Sequence, residues 1–540
     1  MNNELIVQNL DHLGIVAGLV DELEIVEQIN QHLGEDPREQ ISPGVAVKAM
    51  ILNGLGLVSA PLYLFDQFFV GKATAHLLGA GVLAEHLNDD RLGRVLDALY
   101  LGGLSQIFVA ICLTAARKFG VECKSAHFDS TSFTVEGEYL PEVQVTEGIA
   151  PVPITITYGY SRDRRPDLKQ FVMNLVCWGD GDMPAFIELA DGNQSDKAHF
   201  AGLMQAFKAQ WHFEGLYVAD AALYSEENLQ QLSGLRWLTR VPLTLNTAAA
   251  LVNQVSESAF ERTALEGYRI ATVCCDYGGV RQQWFVVESQ ERKKSDLKKL
   301  EQTLVKAKTQ WQAQLRQLCA QEFACEADAL AALKKFERTL PWHQLEATGV
   351  KLKLHYEKPG KPKRETPPSR ITYHPQASLI PNASLITSHQ QRAGRFILAT
   401  NGVEDTEQLS PQQALEEYKG QQGNERGFRF LKDPLFFASS VFLKAPERIM
   451  ALAMVMGLCL LVYNLGQRQL RQALQQADQT LPNQLRKATQ RPTLRWLFQC
   501  FMAVHYVMLN GSEQIVNLTD DRRRILQFLG STCRQYYLLG

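Results

Sequence analysis

Three acidic residues stand where carboxylates can do chemistry. Asp129 lies in Ala-His-Phe-Asp-Ser-Thr-Ser, whose strand-like alternation puts His127, Asp129 and Thr131 on one face and Phe128 on the other. Asp220 closes the run Leu-Tyr-Val-Ala-Asp on the face of Leu216 and Val218, so it emerges at a strand's carboxyl end, where open α/β sheets place active sites. A lone Asp at that position more often caps a turn. Ser225 follows as a helix N-cap, with Glu226 and Glu227 suiting the helix dipole. The third, Glu425, belongs to a run in which Tyr418, Gln421, Arg429 and Lys432 fall within about 40° of it on an ideal helix, a stripe about 21 Å long. Taken alone, that stripe reads as a solvated polar face. Gly420, Gly423 and Gly427 project from the opposite side, which predicts either close approach of another backbone or a less regular helix. Carboxylates brought together repel unless cations neutralise them, and their hard oxygens suit Mg²⁺ or Mn²⁺.

The elements that must position these residues follow from patterning. Residues 1–120 carry apolar residues at three- and four-residue spacing and are expected to form a helical leader. From 121 to 245 short apolar runs predict strands at SAHFDSTSFTV, PITITYGY, KQFVMNLVCW, MPAFIELADG and GLYVAD, with a helix near His199–Gln210 before the last of them, hence an α/β core. Residues 246–392 interrupt that core. They hold the strand-like YRIATVCC and QQWFVVES, then a charged helix with Leu297, Leu300, Leu304, Ala307, Trp311 and Leu318 near heptad spacing, and a second helix ending before Pro341. The tract 351–370, with seven Lys/Arg against two Glu and four Pro, is expected to be an exposed loop or extended arm. RFILATNG resumes the core over 393–475, and 476–540 is expected to be helical.

Ordinary globular composition, with 46% hydrophobic and 21% charged residues over 540 positions, predicts several domains and a large core. Ten cysteines without any Cys-x-x-Cys pair argue against disulfides and a zinc site. No basic-then-apolar leader opens the sequence, so a cytoplasmic protein is expected, and Ile449–Tyr463 is too short for a span and reads as a buried helix. The net charge of −3 hides an asymmetry: residues 1–125 hold 8 Lys/Arg against 15 Asp/Glu, whereas 425–540 hold 15 against 7. His127 and His199 lack ligand spacing and read as supporting groups, and Arg522–Arg524 as a solvated charge run.

Tyr418, two residues, Gln421, three residues, Glu425, six residues, Lys432: this run resembles the insertion-sequence transposases whose last catalytic region reads Y-(2)-R-(3)-E-(6)-K. Three of the four positions match, with Gln421 standing in place of Arg. The segments YGYSRDRRPDLKQ (158–170), ADAALYSEENL (219–229) and ERGFRFLKDPLF (425–436) extend the resemblance over about residues 120–470. It implies a ribonuclease-H-like mixed sheet core, an α/β fold with an inserted β/helical-hairpin domain and all-α N- and C-terminal parts. It further implies a DDE-type DNA transposase in which Asp129, Asp220 and Glu425 hold two Mg²⁺ ions, Mn²⁺ being able to substitute, for cleavage at element ends and strand transfer. Tyr418, Gln421 and Lys432 are then DNA contacts. Arg429 is expected to supply the charge missing at Gln421, and Trp284 to receive an unstacked base. The implied partners are double-stranded DNA, as terminal inverted repeats and target, and a second copy of the chain on that DNA; no membrane is involved, and the expected location is the cytoplasm, at the nucleoid. A metal-dependent nuclease without strand transfer and an inactive DNA-binding copy are the alternatives.

Overall fold

The computed structural model describes residues 5–136, 139, 152–194, 196–232, 234–357, 367–402, 408–433 and 443–539. A short strand, β1 (Leu5–Asn9), precedes a helical leader whose main helices are Leu13–Glu22, Ile25–Leu33, Pro43–Gly54, Asp89–Gly102 and Leu104–Lys118. Next come β2 (Ser125–Val135), β3 (Lys169–Trp178) and β4 (Pro184–Ala190), an antiparallel meander. The helix Asp196–Trp211 then leads to β5 (Leu216–Ala219), which returns parallel to β2, and the helix Glu226–Gln231 leads to β6 (Arg236–Val241), parallel to β5. Helical crossovers of this kind are what parallel neighbours require.

The sheet does not stop at β6. After β7 (Glu261–Arg262), β8 (Tyr268–Tyr277) and β9 (Val280–Ser289) the chain leaves it through the helices Gln290–Ala320 and Glu326–Glu337 and the hairpin β10 (His343–His355) and β11 (Arg370–Pro381). It returns as β12 (Arg395–Thr400), which lies between β6 and β9 and is antiparallel to both. One nine-stranded sheet results, in the order β4-β3-β2-β5-β6-β12-β9-β8-β7.

Both faces of this sheet are covered. Under one, Phe128 stacks on Tyr217 at 5.6 Å and meets Phe207 edge-on at 5.4 Å. Over the other run the helices Pro411–Gly420 and Gln422–Leu431, and beside them the 31-residue helix Pro446–Gln476. That long helix is apolar enough to cross a membrane, but 89% of its most apolar stretch is buried, and it packs against the helices 43–54, 89–102 and 104–118 and against β4. A helix hydrophobic all round belongs in a core, and the apolar run Ile449–Tyr463 forms the first half of this one.

Three expectations need correction. PITITYGY is not a strand: only Thr157 bridges to Gln170, because Pro153 has no N–H to offer and Gly159 passes so close to Gly192 that an added Cβ would sit 1.9 Å from its carbonyl oxygen. Of the tract 351–370, residues 351–355 are strand, with Lys351, Leu352, Lys353 and Leu354 in register against β11; residues 358–366 lie outside the described set, as do 434–436 of the 425–436 segment. The two ends of the chain are also not all-α. Beyond a small pair, β13 (Leu481–Pro482) and β14 (Ala488–Thr489), the hairpin β15 (His505–Leu509) and β16 (Ser512–Val516) pairs with β1 into a three-stranded sheet. Its turn is Asn510-Gly511, both with positive φ (51° and 83°), as a two-residue hairpin loop requires.

Candidate active site

β2 and β5 are in parallel register up to the pair Phe128↔Ala219. The next residue on each strand is an aspartate, Asp129 and Asp220. Asp220 ends its strand as an N-cap, its Oδ1 accepting from Ala222 N at 2.9 Å, while its carbonyl accepts from the Thr239 hydroxyl at 2.6 Å. Ser225 caps the following helix through Asn228 N, as its position predicts.

The segment carrying Glu425 crosses the His127 face of β2 and is pinned there. Asn424, fully buried, donates Nδ2 to the His127 carbonyl at 2.7 Å. Gln421 donates Nε2 to the Phe128 carbonyl at 2.6 Å, and its Oε1 lies 3.3 Å from His127 Nδ1. The glycines allow this seating: a Cβ on Gly420 would come within 2.9 Å of His127, and one on Gly423 within 2.0 Å of Asp182. Gln421 is also the joint between the helices 411–420 and 422–431. Both readings of the glycine face therefore hold in part, although the groups that approach are side chains and the irregularity is a single turn.

These placements bring the three carboxylates into one another's field. Burial, then the negative charges of Asp220 and Glu425, push the Asp129 carboxyl up to about 7. Arg162 acts against this, its Nη1 3.8 Å from Asp129 Oδ1, as does the Ser130 N–H at 2.8 Å. Glu425 is exposed and faces solvent. Among the described residues no three His, Cys, Asp or Glu side chains lie close enough together to hold a metal ion as placed. The carboxylates are grouped electrostatically but not clasped. A buried acid whose proton is retained by burial and by two like charges is one whose ionised form a nearby cation would favour.

Around them stand the other expected residues. Tyr418, with Phe396 6.4 Å away, has its phenol pKa raised by burial, opposed by a hydrogen bond and charge from Arg240 and reinforced by Asp220 and Glu425. Lys432 is held by Asp163 at 2.8 Å and lies 5.3 Å from the Phe133 ring; burial lowers its pKa against that pairing. Arg429 is exposed and makes no ion pair among the described residues.

A domain of unknown function (DUF4277) matches residues 5–113, the helical leader, which precedes all three carboxylates. No curated protein matches the chain. Among solved structures, a cryo-EM structure of the piggyBac transposase synaptic complex with hairpin DNA superposes with a TM-score of 0.34 at 9% identity, covering 97% of this chain and 80% of that one.

Two site assignments change. Gln421 is buried against β2 rather than facing solvent, because the helix turns at this residue and its amide bonds the Phe128 carbonyl. Trp284 is 1% exposed, its indole N–H donating to Gln282 Oε1 at 3.0 Å and its ring edge-on to Tyr224, so its faces are occupied by the core. His127 is buried with its ring beside Gln421, and His199 is paired with Glu188 at 2.8 Å. Arg522 and Arg524 donate to main-chain carbonyls and to Gln479 rather than forming a bare charge run. Arg162, Arg240 and Asn424 escaped sequence reasoning. The first lies within the 158–170 segment that carries the resemblance; the others had no local signal, since their importance depends on which strand or helix lies opposite.

Proposed function

We propose that this chain is a DDE-type DNA transposase that cleaves the ends of a DNA element and joins them to a target. The observation that supports the reading most is that Asp129 and Asp220, 91 residues apart, follow the last registered pair of two neighbouring parallel strands, and that Glu425, a further 205 residues on, lies near enough for its charge to act on Asp129. The meander β2-β3-β4 continued by parallel β5 and β6 supports a ribonuclease-H-like core; of the expected insertion 246–392, β7–β9 extend that same sheet and residues 290–392 depart from it.

In this reading Asp129, Asp220 and Glu425 hold two Mg²⁺ ions, which when bound activate water or a 3′-hydroxyl and stabilise the leaving oxygen. The chain's own groups do the rest. Asn424 and Gln421 fix the helix across β2, which keeps Glu425 on the segment beside the two aspartates. Arg162 steadies Asp129 from the side. Lys432 exchanges Asp163 for a DNA phosphate, and exposed Arg429 holds a second phosphate in place of the inward-facing Gln421.

The deciding experiment incubates wild-type and Asp129→Asn protein with DNA carrying the gene's own flanking regions, with Mg²⁺, Mn²⁺ or EDTA. Metal-dependent release and joining by the wild type alone is expected. Cutting without joining points instead to a nuclease, and equal behaviour of the two proteins overturns the assignment of Asp129.

A further inference from the structure

The chain has a net charge of −3, yet residues 290–392 alone hold 19 Lys/Arg against 10 Asp/Glu, a net +9. Most of the segment is an arm built from the helices Gln290–Ala320 and Glu326–Glu337 packed on the hairpin β10–β11. The first helix turns Leu297, Leu300, Leu304, Ala307, Trp311, Leu315 and Leu318 inward, and Trp311 meets Phe336 of the second at 6.0 Å. Along one flank of it Lys294, Lys298, Lys308 and Arg316 are all exposed and fall within about 40° of one line. Among the described residues none of the four pairs with a carboxylate. The stripe is about 33 Å long at 1.5 Å per residue, close to one turn of duplex DNA. Its one acidic residue is Glu301.

The foot of this helix, on the face away from the stripe, lies beside the carboxylate site. Arg292, at the root of the same helix, lies 5.6 Å from the Phe396 ring, which Arg240 meets at 5.6 Å and which packs on Tyr418. We propose that the exposed face of helix Gln290–Ala320, through Lys294, Lys298, Lys308 and Arg316, binds the phosphate backbone of duplex DNA leading away from the carboxylate site. The inference rests on the transposase reading for the nature of its polyanion. Charge complementarity and length favour a duplex over the acidic leader of a second copy, which is a compact helical surface.

The test uses the full chain and a 40-base-pair duplex of unrelated sequence, with affinity measured by fluorescence anisotropy from about 50 to 200 mM salt. In the variant Lys294→Gln, Lys298→Gln, Lys308→Gln, Arg316→Gln, the slope of log affinity against log salt is expected to be shallower by about 3 to 4, at about 0.9 for each phosphate no longer neutralised. Glu301→Gln is expected to tighten binding, a gain that misfolding cannot imitate. Wild-type slope and affinity in both variants would overturn the arm while leaving the transposase reading intact. Duplex binding absent from wild type as well would overturn both, and a quadruple variant that loses only self-association, by sedimentation, would assign the stripe to a second copy.

Discussion

Asp129 and Asp220 each stand one residue beyond Phe128 and Ala219, the last registered pair of two neighbouring parallel strands. Residues in register on adjacent strands are about 4.8 Å apart and face the same way, so the fold sets two acids side by side where β5 ends and β2 runs on.

The first prediction follows from that proximity. Asp129 titrates near 7 in the folded protein against 3.8 ordinarily, so between those values the folded state keeps a proton that the unfolded state has released. Stability attributable to this group is full below the lower value, falls by about 1.4 kcal/mol per pH unit as pH rises, and levels off above the upper one. In EDTA, Asp129→Asn should flatten this fall and be more stable than wild type at pH 8, by up to about 4 kcal/mol. Parallel pH–stability curves for the two proteins would show that Asp129 is not held protonated.

Mg²⁺ should reverse the same penalty. At a concentration one hundredfold above its dissociation constant it is expected to stabilise the wild type by about 2.7 kcal/mol. Asp129→Asn, Asp220→Asn and Glu425→Gln should each lose most of that increment in thermal unfolding. An undiminished shift in all three would place the ion elsewhere.

Arg429 is exposed and makes no ion pair among the described residues, so Arg429→Ala should leave the unfolding midpoint where it is while weakening end binding and cleavage about tenfold, the worth of one charged hydrogen bond. Undiminished binding and cleavage would remove Arg429 from the site.

Restoring the signature arginine should not help. Gln421→Arg would place a guanidinium against His127 and strip the Phe128 carbonyl of its partner, which is expected to cost about 2 kcal/mol or more of stability. Greater activity in that variant, without loss of stability, would mean that the side chain can face the DNA after all.

Trp284 gives the opposite contrast to Arg429. Trp284→Ala should destabilise the fold by about 3 to 5 kcal/mol, whereas Trp284→Phe should process DNA ends at the wild-type rate. A folded Trp284→Phe enzyme that cannot unstack an end base would reinstate the ring as a DNA contact.

The strands and helices of the core were legible because apolar periodicity records local burial, and Asp129 and Asp220 were legible as strand residues. Their adjacency was not, since register between β2 and β5 is set by a crossover of some eighty residues. Gln421 was misplaced for a related reason: an ideal helix projects it to solvent, and only the turn between the helices 411–420 and 422–431 swings it onto β2. Trp284 has the same local sequence character whether it faces the core or a groove. By contrast Asn510-Gly511, flanked by HYVML and SEQIV, carried an ordinary hairpin signal, and it was the expectation of helix across 476–540 that obscured it.

The position of β12 bears on how this protein is made. Until residues 395–400 arrive, β6 and β9 each present an unpaired edge, and the two halves of the sheet have nothing to join them. At a synthesis rate of about 5 to 20 residues per second, roughly ten to thirty seconds pass between completion of β6 and completion of β12. For that interval the nascent chain carries two open hydrogen-bonding edges, each able to pair with a neighbouring chain on the same polysome.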